Sequence, residues 1–202
     1  LFILIIIPLL AMLGLLAMAI SGFSRIDAGV GGLYNDRVVP LQQLKQISDF
    51  YAVNIIDAVN KADHGLLNRD QARDNIRTAQ GEIERLWQAY MATQLTPREK
   101  QLAEQAHGQF ATANSELQRL DAFLQAAPSD LNGQLGTFNG PLYQSIDPIS
   151  GSIGELIQLQ LDEAKLARED ASAVYHAVRN QMIGLVLLMG LWGLAIFFLF
   201  SF

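Results

Sequence analysis

Residues 41–62 read LQQLKQISDFYAVNIIDAVNKA. Leu41, Leu44, Ser48, Tyr51, Ile55, Ala58 and Ala62 recur there at alternating steps of three and four. Such spacing places them on one stripe of a helix, the seam of a bundle. No alternation of apolar and polar residues competes for a strand. The stretch therefore predicts a first long helix that ends near Gly65. Just before it, Pro40 in RVVPL removes a backbone donor and disfavours helical geometry at Val39. The apolar period resumes at once, so the prediction is a kink within one helix. Below it, Gly29, Gly31 and Gly32 weaken the helix, each by about 1 kcal/mol relative to alanine.

Three further helices follow by the same logic. Asn68 suits an N-cap, with Asp70 in the first turn. The second seam is Ala72, Ile76, Ala79, Ile83, Leu86 and Tyr90, widened by Trp87, and it runs out near Gln94. Thr96-Pro97-Arg98-Glu99 opens the third helix: Thr96 caps, Pro97 suits the first helical position, and Glu99 completes a capping box. Its seam runs Leu102, Ala106, Phe110, Ala113, Leu117, Leu120 and Leu124, ending before Pro128. Residues 128–140, PSDLNGQLGTFNG, read as a loop. The fourth helix is predicted from Pro141. Leu142, Ile146, Ile149, Ile153 and Leu156 form its upper seam, and Ala167, Ala171, Val174 and Val178 its lower one. Pro148 lies inside it and predicts a second kink.

Two apolar stretches flank these helices. Leu1–Ile20 and Met182–Phe202 carry no charged residue. Each is about 20 residues, roughly 30 Å as a helix, which matches a bilayer core. All 14 basic and 20 acidic residues fall between them, for a net charge of −6. The expected organisation is a transmembrane helix over 1–23, a helical domain over 24–181 and a second transmembrane helix over 182–202. Ala17-Met18-Ala19 mimics a signal-peptidase site, but the apolar run exceeds the usual signal core of about 7–15 residues. The first and fourth helices, about 40 residues or roughly 60 Å beyond the membrane, exceed the second and third at about 25–30 residues. The fold class expected is all-α. It is an antiparallel up-down-up-down four-helix bundle whose two long helices continue into the spans. The chain reads as a piece of a longer protein.

Composition narrows the function. Mild acidity without a basic block gives no footprint for nucleic acid. The chain has no cysteine, which excludes disulfides and thiolate metal sites. His64, His107 and His176 lie on different helices without metal-ligand spacing, so no metal or cofactor is expected. No nucleophile–base pair and no phosphate loop is visible, and an enzyme is not expected.

Two spans around such an insert, with a first helix reading LYNDRVVPLQQLKQISDFYAVNIIDAVNKA over residues 33–62, resemble the bacterial methyl-accepting chemotaxis receptors with a four-helix sensor domain. The likeness covers essentially the whole chain. Similar modules precede histidine kinases and diguanylate cyclases, and a ligand-free stalk is a further alternative. The resemblance implies an inner-membrane protein with residues 24–181 in the periplasm. It also implies a homodimer, a small ligand between the first and fourth helices at the distal end, and a fourth helix that shifts on binding.

Candidate ligand contacts follow from polar residues near that end. Asn54, Asp57, Lys61 and His64 share one face of the first helix, with Asp57 and Lys61 spaced as an ordinary ion pair. Arg69, Arg73 and Arg77 recur every four residues on the second helix and could grip a carboxylate. Tyr143 and Gln144 begin the fourth helix, whose positive end favours an anion. Organic acids or amino acids are the expected ligands. Receptors for aspartate present arginines from the distal half of the first helix, whereas that half here offers only Lys61. Leu44, Ile47, Tyr51 and Ile55 widen the apolar face of the first helix and are the expected dimer interface.

Overall fold

The computed structural model describes residues 2–201, with side chains over 6–198 and at 201. Leu1 and Phe202, at the outer ends of the two predicted spans, lie outside this range. Among the described residues there is no strand. The helices are α1 (Phe2–Leu33), α2 (Val39–Asp49), α3 (Ala58–Asp63), α4 (Arg69–Met91), α5 (Pro97–Ala126) and α6 (Gly136–Ser201). Two π-helical segments, Tyr34–Val38 and Phe50–Asp57, join α1, α2 and α3 without a break. The chain divides into two compact units, one built from the two chain ends and the other spanning Asp36–Glu163.

The Asp36–Glu163 unit is the four-helix bundle. Every apolar seam residue predicted for α4 and α5 is buried, as are Leu142, Ile146, Ile149, Ile153 and Leu156 of α6. Each large side chain so buried contributes about 1.5–3 kcal/mol of transfer free energy. An aromatic cluster fills one level of the core, with Phe110 5.7 Å from Tyr51 and 4.8 Å from Trp87 between ring centroids. His107 stacks on Trp87 at 5.9 Å.

Proline and the π segments are linked. Pro40 lacks an N–H, and its ring would press on the carbonyl of Asp36, four residues back. The widened turns of Tyr34–Val38 lie on that carbonyl, and the helix runs on through α2. The second π segment widens the buried face. Ile56 and Val59 enter the core at 7% and 1% exposure, although neither belongs to the seam of alternating threes and fours. A turn of more than four residues brings the extra side chains round.

Three expectations change. First, α6 begins at Gly136, five residues before Pro141. Leu135 is fully buried, Phe138 packs 5.2 Å from Phe123, and the Asp63 carboxylate accepts the Leu135 N–H at 2.6 Å. That bond satisfies a donor the helix start would leave orphaned. Second, α4 ends at Met91 rather than near Gln94, with Thr93 Oγ1 donating to the Tyr90 carbonyl at 2.7 Å. Third, the expected dimer interface is consumed by the chain's own core: Leu44, Ile47, Tyr51 and Ile55 are at most 1% exposed. Their extra width faces α4 and α5, not a partner.

The other unit contains the apolar segments. Two helices are long and apolar enough to cross a membrane, Ile6–Asp63 and Gly136–Phe198, and their most apolar windows are 6% and 0% buried. That exposure is the opposite of a soluble core helix. Gly22 is buried, and a Cβ there would stand 2.8 Å from Val178 Cγ1.

Candidate functional site

The expected ligand residues separate when placed on the fold. At the distal end, α3 stops at Asp63 and Gly65 takes φ 70°. The loop before α6 folds onto that corner: Gly133 N–H donates to the Asp63 carbonyl at 2.8 Å, and Arg69 N–H to the Ser129 carbonyl at 3.0 Å. Tyr143 on α6 is 44% exposed, and its hydroxyl accepts a long bond from Asn60 Nδ2 at 3.4 Å. This contact joins the first and fourth bundle helices. Gln144 beside it is exposed. Lys61 pairs with Asp57 at 2.6 Å as an exposed ion pair, so its ammonium is already engaged.

The arginine row faces α5 instead. Arg69 Nη1 donates to the Ala127 carbonyl at 2.9 Å, and its Nε donates to Asp70 at 2.8 Å. Arg73 Nε lies 2.7 Å from Asp121 Oδ1, with Nη2 3.4 Å from the second oxygen. That hydrogen bond, reinforced by Gln125, holds the Asp121 carboxyl below the ordinary carboxylate range. The Arg69 bond lowers Asp70 likewise. Arg77 is exposed. The sequence took Arg69 and Arg73 as ligand grips, and here both hold the bundle together. Asn54 lines a shallow 200 Å³ groove with Phe50, Glu82 and Arg85, on a different face from Tyr143.

Two polar constellations escaped the sequence reading. The first is a 260 Å³ cavity open to solvent, lined by Tyr51 of the π segment, Gln80, Ile83 and the exposed Glu84 of α4, and Phe110, Leu117 and the exposed Asn114 and Gln118 of α5. Burial, and then the nearby Glu84, push the Tyr51 phenol well above its usual value. The available signal was a pair of four-residue steps, Gln80–Glu84 and Asn114–Gln118, on facing helices.

The second lies at the opposite end of the bundle. Glu99 is fully buried, yet it carries a carboxylate. Its oxygens accept from Arg37 Nη1 at 3.3 Å each and from Thr96 N–H at 2.6 Å. Gln160 Nε2 also donates to it, and Gln160 is fully buried. Arg37 reaches on to Gln160 Oε1 at 3.4 Å and to Glu163 at 4.0 Å. One carboxylate thus ties the base of the first bundle helix, the start of α5 and the lower bundle portion of α6. Nearby, burial and then Glu99 raise the Tyr90 phenol. Among the described residues no group of three or more metal-ligating side chains could hold an ion.

The comparisons agree with this architecture. A family model described as a four helix bundle sensory module for signal transduction matches residues 1–175. The methyl-accepting chemotaxis protein NahY of Pseudomonas putida is 34% identical over 180 residues, covering 87% of this chain and 33% of that protein. The chain spans about a third of the length of that curated relative. No solved structure gives a significant match. The matched residues contain the bundle and the first apolar segment, so the chain belongs to the family of four-helix-bundle sensory modules of methyl-accepting chemotaxis receptors.

Proposed function

We propose that this chain is the ligand-sensing, membrane-anchored module of a chemotaxis receptor. Residues 24–181 stand in the periplasm, residues 1–23 and 182–202 cross the inner membrane, and the receptor works as a homodimer. A small organic acid or amino acid binds at the distal end, at the contact between Tyr143 of α6 and Asn60 of α3, with the neighbouring Gln144 and Lys61 as further polar contacts. Binding displaces α6 along its axis and moves the second span. The supporting observation is the α6 element itself. It runs Gly136–Ser201, from the Tyr143 contact through the Glu99 cluster into the apolar segment. Arg69 and Arg73 play no part unless a ligand releases them from Ala127 and Asp121.

A hybrid receptor tests the reading. Residues 1–202 are fused to the signalling part of a receptor of known output. Succinate, malate, glutamate, aspartate and benzoate are then offered to cells that lack other receptors. At least one should bias swimming, and Tyr143→Ala should weaken that response about tenfold. A hybrid that is correctly inserted and signals to none of them would count against direct sensing of acids. The relative identified above is a chemotaxis protein, which favours this output over a histidine kinase or a diguanylate cyclase.

A further inference from the structure

The 260 Å³ cavity has no role in the distal-end reading, and its chemistry is of the opposite sign. Its volume exceeds the ~150 Å³ that accommodates a benzene-sized guest. Its walls combine the apolar Ile83, Phe110 and Leu117 with Tyr51, three amide side chains and one carboxylate, of which Glu84, Asn114 and Gln118 are solvent-exposed. No lysine, arginine or histidine lines it. An anion would therefore meet Glu84 without any compensating positive charge.

Two groups in it have hydrogen-bonding capacity to spare. Tyr51 is 1% exposed as a residue, and its hydroxyl opens onto the cavity with no protein partner among the described residues. A hydroxyl that faces such a space is met by water until a ligand replaces it. Glu84 is exposed and forms no ion pair among the described residues, and its Oε1 accepts from the Gln88 amide at 2.6 Å. One carboxylate oxygen stays available. The amides of Gln80, Asn114 and Gln118 can each turn an oxygen inward. The site is thus an array of acceptors around an anionic group. It also abuts the Phe50–Asp57 π segment, which carries Tyr51, and such widened turns recur at functional sites.

We propose that this cavity, between the π segment, α4 and α5, is a binding site for a small primary ammonium compound. One ammonium pairs with Glu84, and the Tyr51 oxygen and the amide oxygens accept the remaining donors. The aliphatic part lies against Phe110. The site is separate from Tyr143 and Lys61, so acid sensing at the distal end stands or falls independently.

The test uses the full chain in lipid nanodiscs and three probes of equal carbon length: 1,4-diaminobutane, 1,4-butanediol and succinate. Calorimetry should show binding of the diamine, at least tenfold weaker binding of the diol, and none of succinate. Glu84→Gln should weaken the diamine at least tenfold. Tyr51→Phe should weaken it several-fold while leaving the melting temperature of the unliganded protein unchanged. Asn114→Leu, which fills the cavity, should abolish binding. Glu104→Gln, an exposed carboxylate on α5 that does not line the cavity, should change nothing. The proposal is overturned if folded wild-type chain gives neither heat nor a melting shift with the diamine. It is equally overturned if diamine and diol bind alike, or if Glu104→Gln weakens binding as much as Glu84→Gln.

Discussion

Arg37 Nη1 stands 3.3 Å from both carboxylate oxygens of Glu99, a side chain with no solvent exposure. The two residues are 62 positions apart, and their pairing closes one end of the bundle. Removing the arginine leaves a buried charge with only neutral donors. Arg37→Ala should therefore cost about 3–5 kcal/mol. Glu99→Gln should cost less, because glutamine still completes the capping box. The double variant should be milder than the sum of the singles. Urea unfolding followed by the fluorescence of buried Trp87 measures all three. Equal losses for Arg37→Ala and an exposed control such as Arg98→Ala would remove the ion pair from the account.

The helix starts offer a second check. Asn68 accepts the Gln71 N–H at 2.9 Å and Thr96 the Glu99 N–H at 3.3 Å, each inside a complete capping box. Asn68→Ala should destabilise by about 1 kcal/mol. Thr96→Ala should cost at least as much, since its box shares Glu99 with Arg37. Denaturation midpoints at constant slope would report both. A neutral Thr96→Ala would show that Glu99 is held without its cap.

Acid should loosen the α4–α5 contact. The Asp121 carboxyl is held below 3.8 by hydrogen bonds from Arg73 and Gln125. Because the native value is depressed, the native state binds fewer protons than the unfolded state through this range. The contribution is complete above about pH 5 and is lost as the pH falls through the lowered native value. The stability difference between wild type and Asp121→Asn should be constant at neutral pH and shrink below pH 3.8. Asp121 is partly exposed, so added salt should reduce the neutral-pH difference as well. A difference that grows on acidification would reverse the sign and reject the pairing.

Between the apolar segments, Gly22 sets the approach. A Cβ at 2.8 Å from Val178 Cγ1 forces a shift that a short branched side chain cannot make freely. Gly22→Ala should cost about 1–3 kcal/mol of helix-pair stability, as overpacking does. Val178→Ala should restore most of it. Detergent titration of single and double variants, read as a mutant cycle, gives the coupling. No coupling between the two positions would mean that the contact carries no energy.

Much of the bundle is legible in the sequence because its seams are local patterns. Ala72 to Tyr90 and Leu102 to Leu124 need only the helical period to be assigned to a core, and both sets are buried. The capping box at Thr96–Glu99 is equally local. What the period hides is anything that depends on a distant partner. Arg73 looks like a free cation until Asp121, 48 residues away, lies against it. Glu99 looks like a cap until Arg37 and Gln160 arrive. Gln80, Glu84, Asn114 and Gln118 read as two solvated helix faces; three of them stay exposed, and only the pairing of α4 with α5 brings them around one cavity. The sequence points to Pro141 as the start of α6 because proline is a strong local signal, whereas the Asp63–Leu135 bond that anchors the start at Gly136 is not local.

The Phe50–Asp57 segment has a bearing on protein engineering. Each widened turn stores one residue of surplus length, so the chain on either side keeps its facing while the residue count between them changes. Deleting one exposed residue there, such as Val53 at 56% exposure, would tighten the segment to ordinary helix. Leu44 and Ala62 would both still point inward, and the deletion variant would remain folded and helical. The same deletion within α4, which has no such slack, would turn every later seam residue by about 100°. The first bundle helix thus carries a built-in tolerance for changes in length that its neighbour lacks, and it sits beside Tyr51.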